Sequence, residues 1–375
     1  MDFSLFAEEY FDEVLRLLRH LCTIPAPSGE EDERVRFCQE YLAELGIEAT
    51  LDPAKNLLWT LGAPSQRVTL FMAHTDTVFP RTTPLKLADD GTFLRCPGVG
   101  DDTANLAVML ACVRCIVEKK LPLHRTLLFA ADSCEEGLGN LKGCRQIFAD
   151  WGDRIDRTIS LDCSYRGVYC RSVGSHRYQI TAETEGGHSY FAFGNKSAIL
   201  PLAEITCQIY EIEPPVVGNS KTTYNVGILS GGTSVNTIPQ SATMLAEYRS
   251  DHWECLAEME TRFAQIFSRA KEACPRLTVE RVGDRPCMGE VDPRALDELS
   301  HRAAGLIQKY TGICPEFRSG STDCNIPHSL GIPAIAFGLY DGGGFHTTEE
   351  WLRKDSLKPG FCIGLEMILR EGEAE

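Results

Sequence analysis

Apolar and polar positions along this chain alternate between two periods. From residue 8 to 21 the apolar residues recur at three- and four-residue spacing, which predicts an amphipathic helix. A second helix is entered through PSGEEDERVRFCQEYLAELG, with Ser28 and Glu31 spaced as a capping box and Gly46 as its stop. The runs RVTLFMA (67–73), RTLLFAA (125–131) and RTISLD (157–162) are short, unbroken and oily, the mark of strands buried on both faces. NLAVMLACVRCIVEK (105–119) reads as a helix between the first two. This alternation predicts an α/β domain built on a mainly parallel, twisted sheet flanked by helices.

Near Gly174 the pattern changes. Strand (176–185), helix (196–212), two strands (222–231 and 241–250), helix (255–273) and strand (276–282) follow one another. That βαββαβ order is the ferredoxin-like split motif, an α+β domain. After Pro286 the earlier pattern returns with a helix over 297–310 and a strand over 332–338. A chain of 375 residues is long for one core. The expected organisation is a discontinuous domain of residues 1–173 and 287–375, with residues 174–286 inserted.

Composition narrows the function. Apolar content of 43% and charged content of 24% are ordinary for a globular protein. The net charge of −16 and the lack of a basic stripe argue against a nucleic-acid partner. The N-terminal MDFSLFAEEYFDEVLRLL is acidic and amphipathic, unlike a signal peptide, and no run approaches a membrane span. A cytoplasmic protein is expected, with its 16 cysteines mostly reduced. Cys112 and Cys115 form a C-x-x-C inside an oily helix, where they read as small hydrophobes.

The chemistry gathers at strand ends. FMAHTDTVFP places His74 and Asp76 two residues apart, on one face if the chain stays extended. A carboxylate beside an imidazole sets its tautomer and raises its basicity, which suits a metal ligand. GVGDDTANL presents Asp101 and Asp102 at the mouth of a helix, DSCEEG carries Glu135 and Glu136, RTISLD ends in Asp162, and YDGGGFHTTEEW carries His346. Each has a plain structural reading: a helix cap, a turn acid, a strand-end acid or a loop histidine. Together they lie at the carboxyl ends of strands, where open α/β sheets bind ligands, and would repel one another without cations. Histidine and carboxylate donors suit zinc, or manganese and cobalt in its place. Of an adjacent Glu135–Glu136 pair, one can hold metal while the other takes a proton from water.

HTDTV, GVGDD, CEEGLGNLKG, SLD, GGHSYFAFGN, GGTSVNTIP, SGSTDCNIP and GGGFHTTEEW, in this order, resemble the di-zinc peptidases and deacylases. That family includes peptidase T, carboxypeptidase G, acetylornithine deacetylase and succinyl-diaminopimelate desuccinylase. The resemblance runs from about Ile24 to Trp351. It implies a zinc-exopeptidase-like catalytic domain and an inserted lid that forms a homodimer. By resemblance, His74 and Asp162 hold one zinc, Glu136 and His346 the other, and Asp101 bridges them. Asp76 would orient His74, Glu135 would be the general base, and the Asp101–Asp102 peptide would be cis. His188 would reach into the partner subunit's site to stabilise an oxyanion. Asn236, Arg249, Gly320 and Ser321 match substrate-contact positions. The chain departs from the family at Tyr190 and Phe191, where small residues are usual, and at Cys134, where a polar residue is common.

The implied activity is zinc-dependent hydrolysis of an amide bond. Aspartate at position 162 resembles the peptidase branch, as does the wording around Glu135 and His188. A small-peptide aminopeptidase acting on di- or tripeptides is therefore expected, with an N-acyl-amino-acid deacylase as the alternative. A non-catalytic homologue would be expected to lose a ligand or the base. A purely structural metal site would favour cysteine ligands.

Overall fold

A computed structural model describes residues 2–373. The chain divides into two compact units: one takes the chain up to Ser172 and again from Glu290, the other takes Val173–Gly289.

The first unit is organised by an eight-stranded sheet in the order Thr50–Leu51, Leu57–Leu61, Leu127–Asp132, Val68–His74, Ile155–Leu161, Ala334–Phe337, Gly167–Ser172 and Glu316–Gly320. The four central strands pair in parallel. The pairings on either side of them are antiparallel, so the sheet is mixed where the sequence suggested a mainly parallel one. The flanking strands Leu57–Leu61 and Gly167–Ser172 escaped the sequence reading because they lack a long unbroken apolar run.

Both faces of this sheet are covered, which explains the oily runs. Along Val68–His74 the side chains of Val68, Leu70 and Met72 enter one cluster with Leu141, Ile147 and Phe148. Phe71 and Ala73, on the opposite face, join a larger cluster with the helices Phe3–Leu21, Thr103–Lys119 and Leu357–Glu371. A period of two with both phases apolar is what a fully buried strand requires. The helix Thr103–Lys119 is buried on nearly every side, and Cys112 and Cys115 are solvent-inaccessible parts of that core. Helix Lys142–Trp151 covers the smaller face; the sequence reading did not mark it.

The expected capping box is absent. Helix Asp32–Glu44 has Glu31 at its N-cap position with no side-chain cap bond. Ser28 instead donates its hydroxyl to Asp76, at 2.5 Å, and Glu31 accepts the main-chain N–H groups of Gly29 and Cys134. Buried acceptors outside the helix win these donors because they have no water to turn to.

The second unit carries a four-stranded antiparallel sheet in the order Thr222–Gly231, Ser241–Ser250, Gly174–Glu183, Leu277–Arg285. With helices Ile199–Tyr210 and Trp253–Ala273 on its apolar face, this is the βαββαβ arrangement. Its core is separate, centred on Ile180, Met244, Tyr248, Met259 and Phe263.

Asn105, in the first turn of Thr103–Lys119, ties three strand-end loops together. Its amide donates to Asp102 at 2.6 Å and to the Cys163 carbonyl at 3.1 Å, and its carbonyl accepts the Leu339 N–H at 2.7 Å. Asn105→Leu keeps the volume but orphans these buried groups, each worth about 1–3 kcal/mol. Urea unfolding should show a loss of at least ~3 kcal/mol. An unchanged midpoint would show that the loops hold without it.

Candidate metal centre

The carboxyl edge of the parallel strands of the first unit brings the acids and histidines together. His74 is the last residue of Val68–His74 and is 2% exposed. Its Nδ1 lies 3.1 Å from the Asp76 carbonyl oxygen and 3.4 Å from the Asp76 carboxylate. A carbonyl can only accept, so Nδ1 carries the proton and the Nε2 lone pair is left for the centre. Nε2 lies 3.2 Å from one oxygen of Asp101. The other Asp101 oxygen lies 3.2 Å from Nε2 of His346, which is also 3.0 Å from Glu136. One carboxylate thus faces two imidazoles.

Two ligand sets follow from these positions. His74, Asp101, Asp102 and Asp162 offer atoms within 4.8 Å of one another, and so do Asp101, Glu136 and His346. His74, Glu135 and Glu136 form a third such group. The first two groups share Asp101, and the donors of all three are imidazole nitrogens and carboxylate oxygens. That donor chemistry fits a pair of divalent ions of the zinc, manganese or cobalt kind.

The electrostatics point the same way. Burial, and then the charge of Asp101, push the Asp162 carboxyl up to about 6. Hydrogen bonds donated to the carboxylates of Asp101 and Glu136 raise the His346 imidazole to about 10. Burial opposes a charged His74, yet Asp102, Asp101 and Asp76 together hold its pKa well above the usual imidazole range. Burial disfavours the Asp101 anion too, and the two histidines keep its pKa well below the ordinary carboxylate value. The centre is therefore an excess of buried negative charge that draws in protons, and a divalent cation satisfies the same field.

The acids around the ligands hold main chain. Asp76 is fully buried and accepts the N–H groups of Glu135, at 3.0 Å, and Glu136, at 2.9 Å, besides the Ser28 hydroxyl. Asp102 accepts the His74 N–H at 2.9 Å. It occupies the N-cap position of Thr103–Lys119 without making a cap bond. The Asp101–Asp102 peptide is cis. Arg34, 1% exposed, donates to the carbonyls of Ile24 and Thr75 and so fixes the residue between His74 and Asp76. Glu350 accepts three N–H groups of the loop that ends in Asp101. Arg34, Asn105 and Glu350 were not singled out in the sequence, and Ser28 only as a helix cap, because nothing in their local pattern points to these distant partners.

His188, Asn236 and Arg249 belong to the second unit. There the short strands Gly187–His188 and Thr237–Ile238 pair, and Ser189 N–H donates to the Asn236 carbonyl at 3.0 Å. The Tyr190 N–H donates to His188 Nδ1 at 3.2 Å, which leaves the ring proton on Nε2. Arg249 makes a forked pair with Glu247, at 2.8 and 3.0 Å. Gly320 ends the edge strand Glu316–Gly320 of the first unit, where an added Cβ would meet the Tyr169 ring at 2.5 Å, and Ser321 follows it.

Comparison with known proteins agrees with this geometry. The model of peptidase family M20/M25/M40 matches residues 70–370. A succinyl-diaminopimelate desuccinylase of Corynebacterium glutamicum is 24% identical over 345 residues, covering 89% of this chain and 90% of its own. A tripeptidase of Staphylococcus aureus shares the fold with a TM-score of 0.75 and 21% identity, over 96% of this chain and 98% of its own. A dinuclear metal-binding M20 peptidase of Bacillus subtilis superposes with a TM-score of 0.66 and 14% identity, over 97% and 98% of the two chains. With the family model spanning most of its length and a two-set cluster of metal-ligating side chains at its sheet edge, the chain belongs to peptidase family M20/M25/M40 and is a metal-dependent hydrolase.

Proposed function

We propose that this protein is an aminopeptidase that hydrolyses the amide bond of di- or tripeptides at a two-metal centre. The observation that carries the reading is Asp101, whose two oxygens face His74 and His346 from opposite sides. His74 and Asp162 would hold one ion, Glu136 and His346 the other, with Asp101 shared; zinc is the proposed metal, with manganese or cobalt as substitutes. When bound, such a pair supplies a Lewis acid for the carbonyl and lowers the pKa of an attacking water toward ~7.

The chain supplies the rest. Glu135 takes the proton of the attacking water and returns it to the leaving amine. Its main chain is fixed by Asp76, which also orients His74. His188, with its proton on Nε2, is assigned as the donor to the oxyanion, contributed by a partner subunit. Asn236, Arg249, Gly320 and Ser321 are assigned to hold the substrate. Arg249 must then share its guanidinium between Glu247 and a substrate carboxylate. Dimerisation through the second unit is supported by its edge strand Thr222–Gly231, which exposes Ile228 and Leu229. A cytoplasmic location is supported by sixteen free cysteines, most of them buried. Among the described residues no helix is long and apolar enough to cross a membrane.

The second reading, an N-acyl-amino-acid deacylase, is favoured by the likeness to the desuccinylase. Both use the same centre, so products decide. A mixture of free-amine di- and tripeptides with matched N-acetyl amino acids, analysed by mass spectrometry, should lose amino-terminal residues from the peptides alone. Release of acetate alone would select the deacylase. In the same assay Glu135→Gln should lower turnover by about 10²–10⁴-fold while keeping its metal; retained activity would remove Glu135 from the base role.

Metal analysis after dialysis should find two divalent ions per chain in the native protein, one in His346→Ala, and neither position filled in Asp101→Asn. Equal stoichiometry in all three would contradict a shared Asp101.

The loop after His188 exposes Tyr190, Phe191 and Phe193, with the Phe191 ring 4.8 Å from that of His188. A substrate that accepts a bond from His188 therefore meets aromatic surface. Phe191→Ser should cut kcat/KM for phenylalanine-containing peptides about tenfold more than for glycine-containing ones, since one such side chain is worth about 1–3 kcal/mol. An equal effect on both would separate the loop from specificity.

A further inference from the structure

Glu350 has the geometry of a device rather than of an ordinary acid. It is solvent-inaccessible. One carboxylate oxygen accepts the N–H groups of Gly100 and Asp101, both at 2.8 Å, and the other accepts that of Gly98 at 2.9 Å. Its main chain is fixed as well. The Glu350 carbonyl accepts the Cys96 N–H at 3.2 Å, and its own N–H reaches the Thr347 carbonyl at 3.3 Å. Glu350 therefore connects the turn that follows His346 to the whole loop from Cys96 to Asp101.

The loop is also held by the buried side chains of Cys96 and Val99 and by the Thr103 hydroxyl, which donates to the Gly98 carbonyl at 2.5 Å, but the N–H groups of Gly98, Gly100 and Asp101 are answered by Glu350. Gly98 takes a positive φ of 70°. A Cβ on Gly100 would lie 2.4 Å from the Tyr340 hydroxyl oxygen, so no side chain there can anchor it. The loop ends at Asp101, the carboxylate that faces both histidines. Burying a further anion beside this centre is costly. Three converging N–H donors offset that cost, and cations in the centre would offset it further. A glutamine is the same size but has only one accepting oxygen, so at least one loop N–H would face an NH₂ group.

We propose that Glu350 is a positioning residue of the metal centre: it sets the place of Asp101 and, through the Thr347–Glu350 turn, that of His346, so that the metal position formed by Asp101, Glu136 and His346 depends on it. The inference rests on the two-metal reading but not on the substrate or on Glu135.

The test is zinc binding, measured by competition with a chromogenic chelator, together with thermal melting of metal-free and zinc-loaded protein. Native protein should bind two ions per chain. Glu350→Gln should keep one tight ion and bind the second about 10–100-fold more weakly. Glu350→Asp, a carboxylate one methylene shorter, should move in the same direction by less, and keeps the test usable if the glutamine variant does not fold. Glu349→Gln, at an exposed neighbour, should match the native protein. The rise in melting temperature on adding zinc should shrink in the Glu350 variants. Native affinity at both positions would overturn the proposal. So would an equal drop in melting temperature with and without zinc, because that is what a purely structural acid gives. Fewer than two ions on the native protein would remove the two-metal reading itself, and this inference with it.

Discussion

A carboxylate shut away from water must find hydrogen-bond donors, and the centre of this molecule is arranged around that demand. Asp76, Asp102 and Glu350 are fully buried, and each is answered by main-chain N–H groups. The donors belong to the segments that carry the candidate ligands: Glu135 and Glu136 for Asp76, His74 for Asp102, and the approach to Asp101 for Glu350. Desolvation, which on its own would expel these charges, is thereby converted into positional information. The outer acids fix backbone, and the inner ones keep their oxygens for cations.

The sheet makes this economical. Four parallel strands end at one edge, and successive loops there deliver His74, Glu135 with Glu136, and Asp162. Each strand is apolar on both faces, so a one-residue slip would exchange two buried sets of different size. The register of the core is in this way the register of the ligands. Asn105 and Arg34 extend the same logic to loop carbonyls that have no strand partner.

The extent to which the sequence disclosed this follows from how local each signal is. The period of two with both phases apolar is local, and it revealed the central strands; the antiparallel flanks, each broken by polar residues, did not carry it. The pairing of His74 with Asp76 was legible because extended backbone puts alternate residues on one side. The partners of Ser28 and Glu31 were misread because a capping box is a local expectation, whereas Asp76 is 48 residues away from Ser28 and Cys134 is 103 away from Glu31. Glu350 was invisible for the same reason: its donors lie some 250 residues earlier. In the second unit the strand and helix order was readable from periodicity, but the Arg249–Glu247 fork joins alternate residues of one strand and is a matter of side-chain reach.

The position of the second unit in the chain has a consequence for how the protein comes into being. Val173–Gly289 is synthesised between Asp162 and His346. A nascent chain that has completed this unit already owns His74, Asp101, Glu136 and Asp162, yet lacks His346, Glu350 and the strand Ala334–Phe337 that sits between the two halves of the sheet. These anions exist before Glu350, which holds the loop ending in Asp101. Closure of the sheet and completion of the Asp101–Glu136–His346 group are therefore late, C-terminal events, and a truncated chain carries most of the charge of the centre without its full architecture.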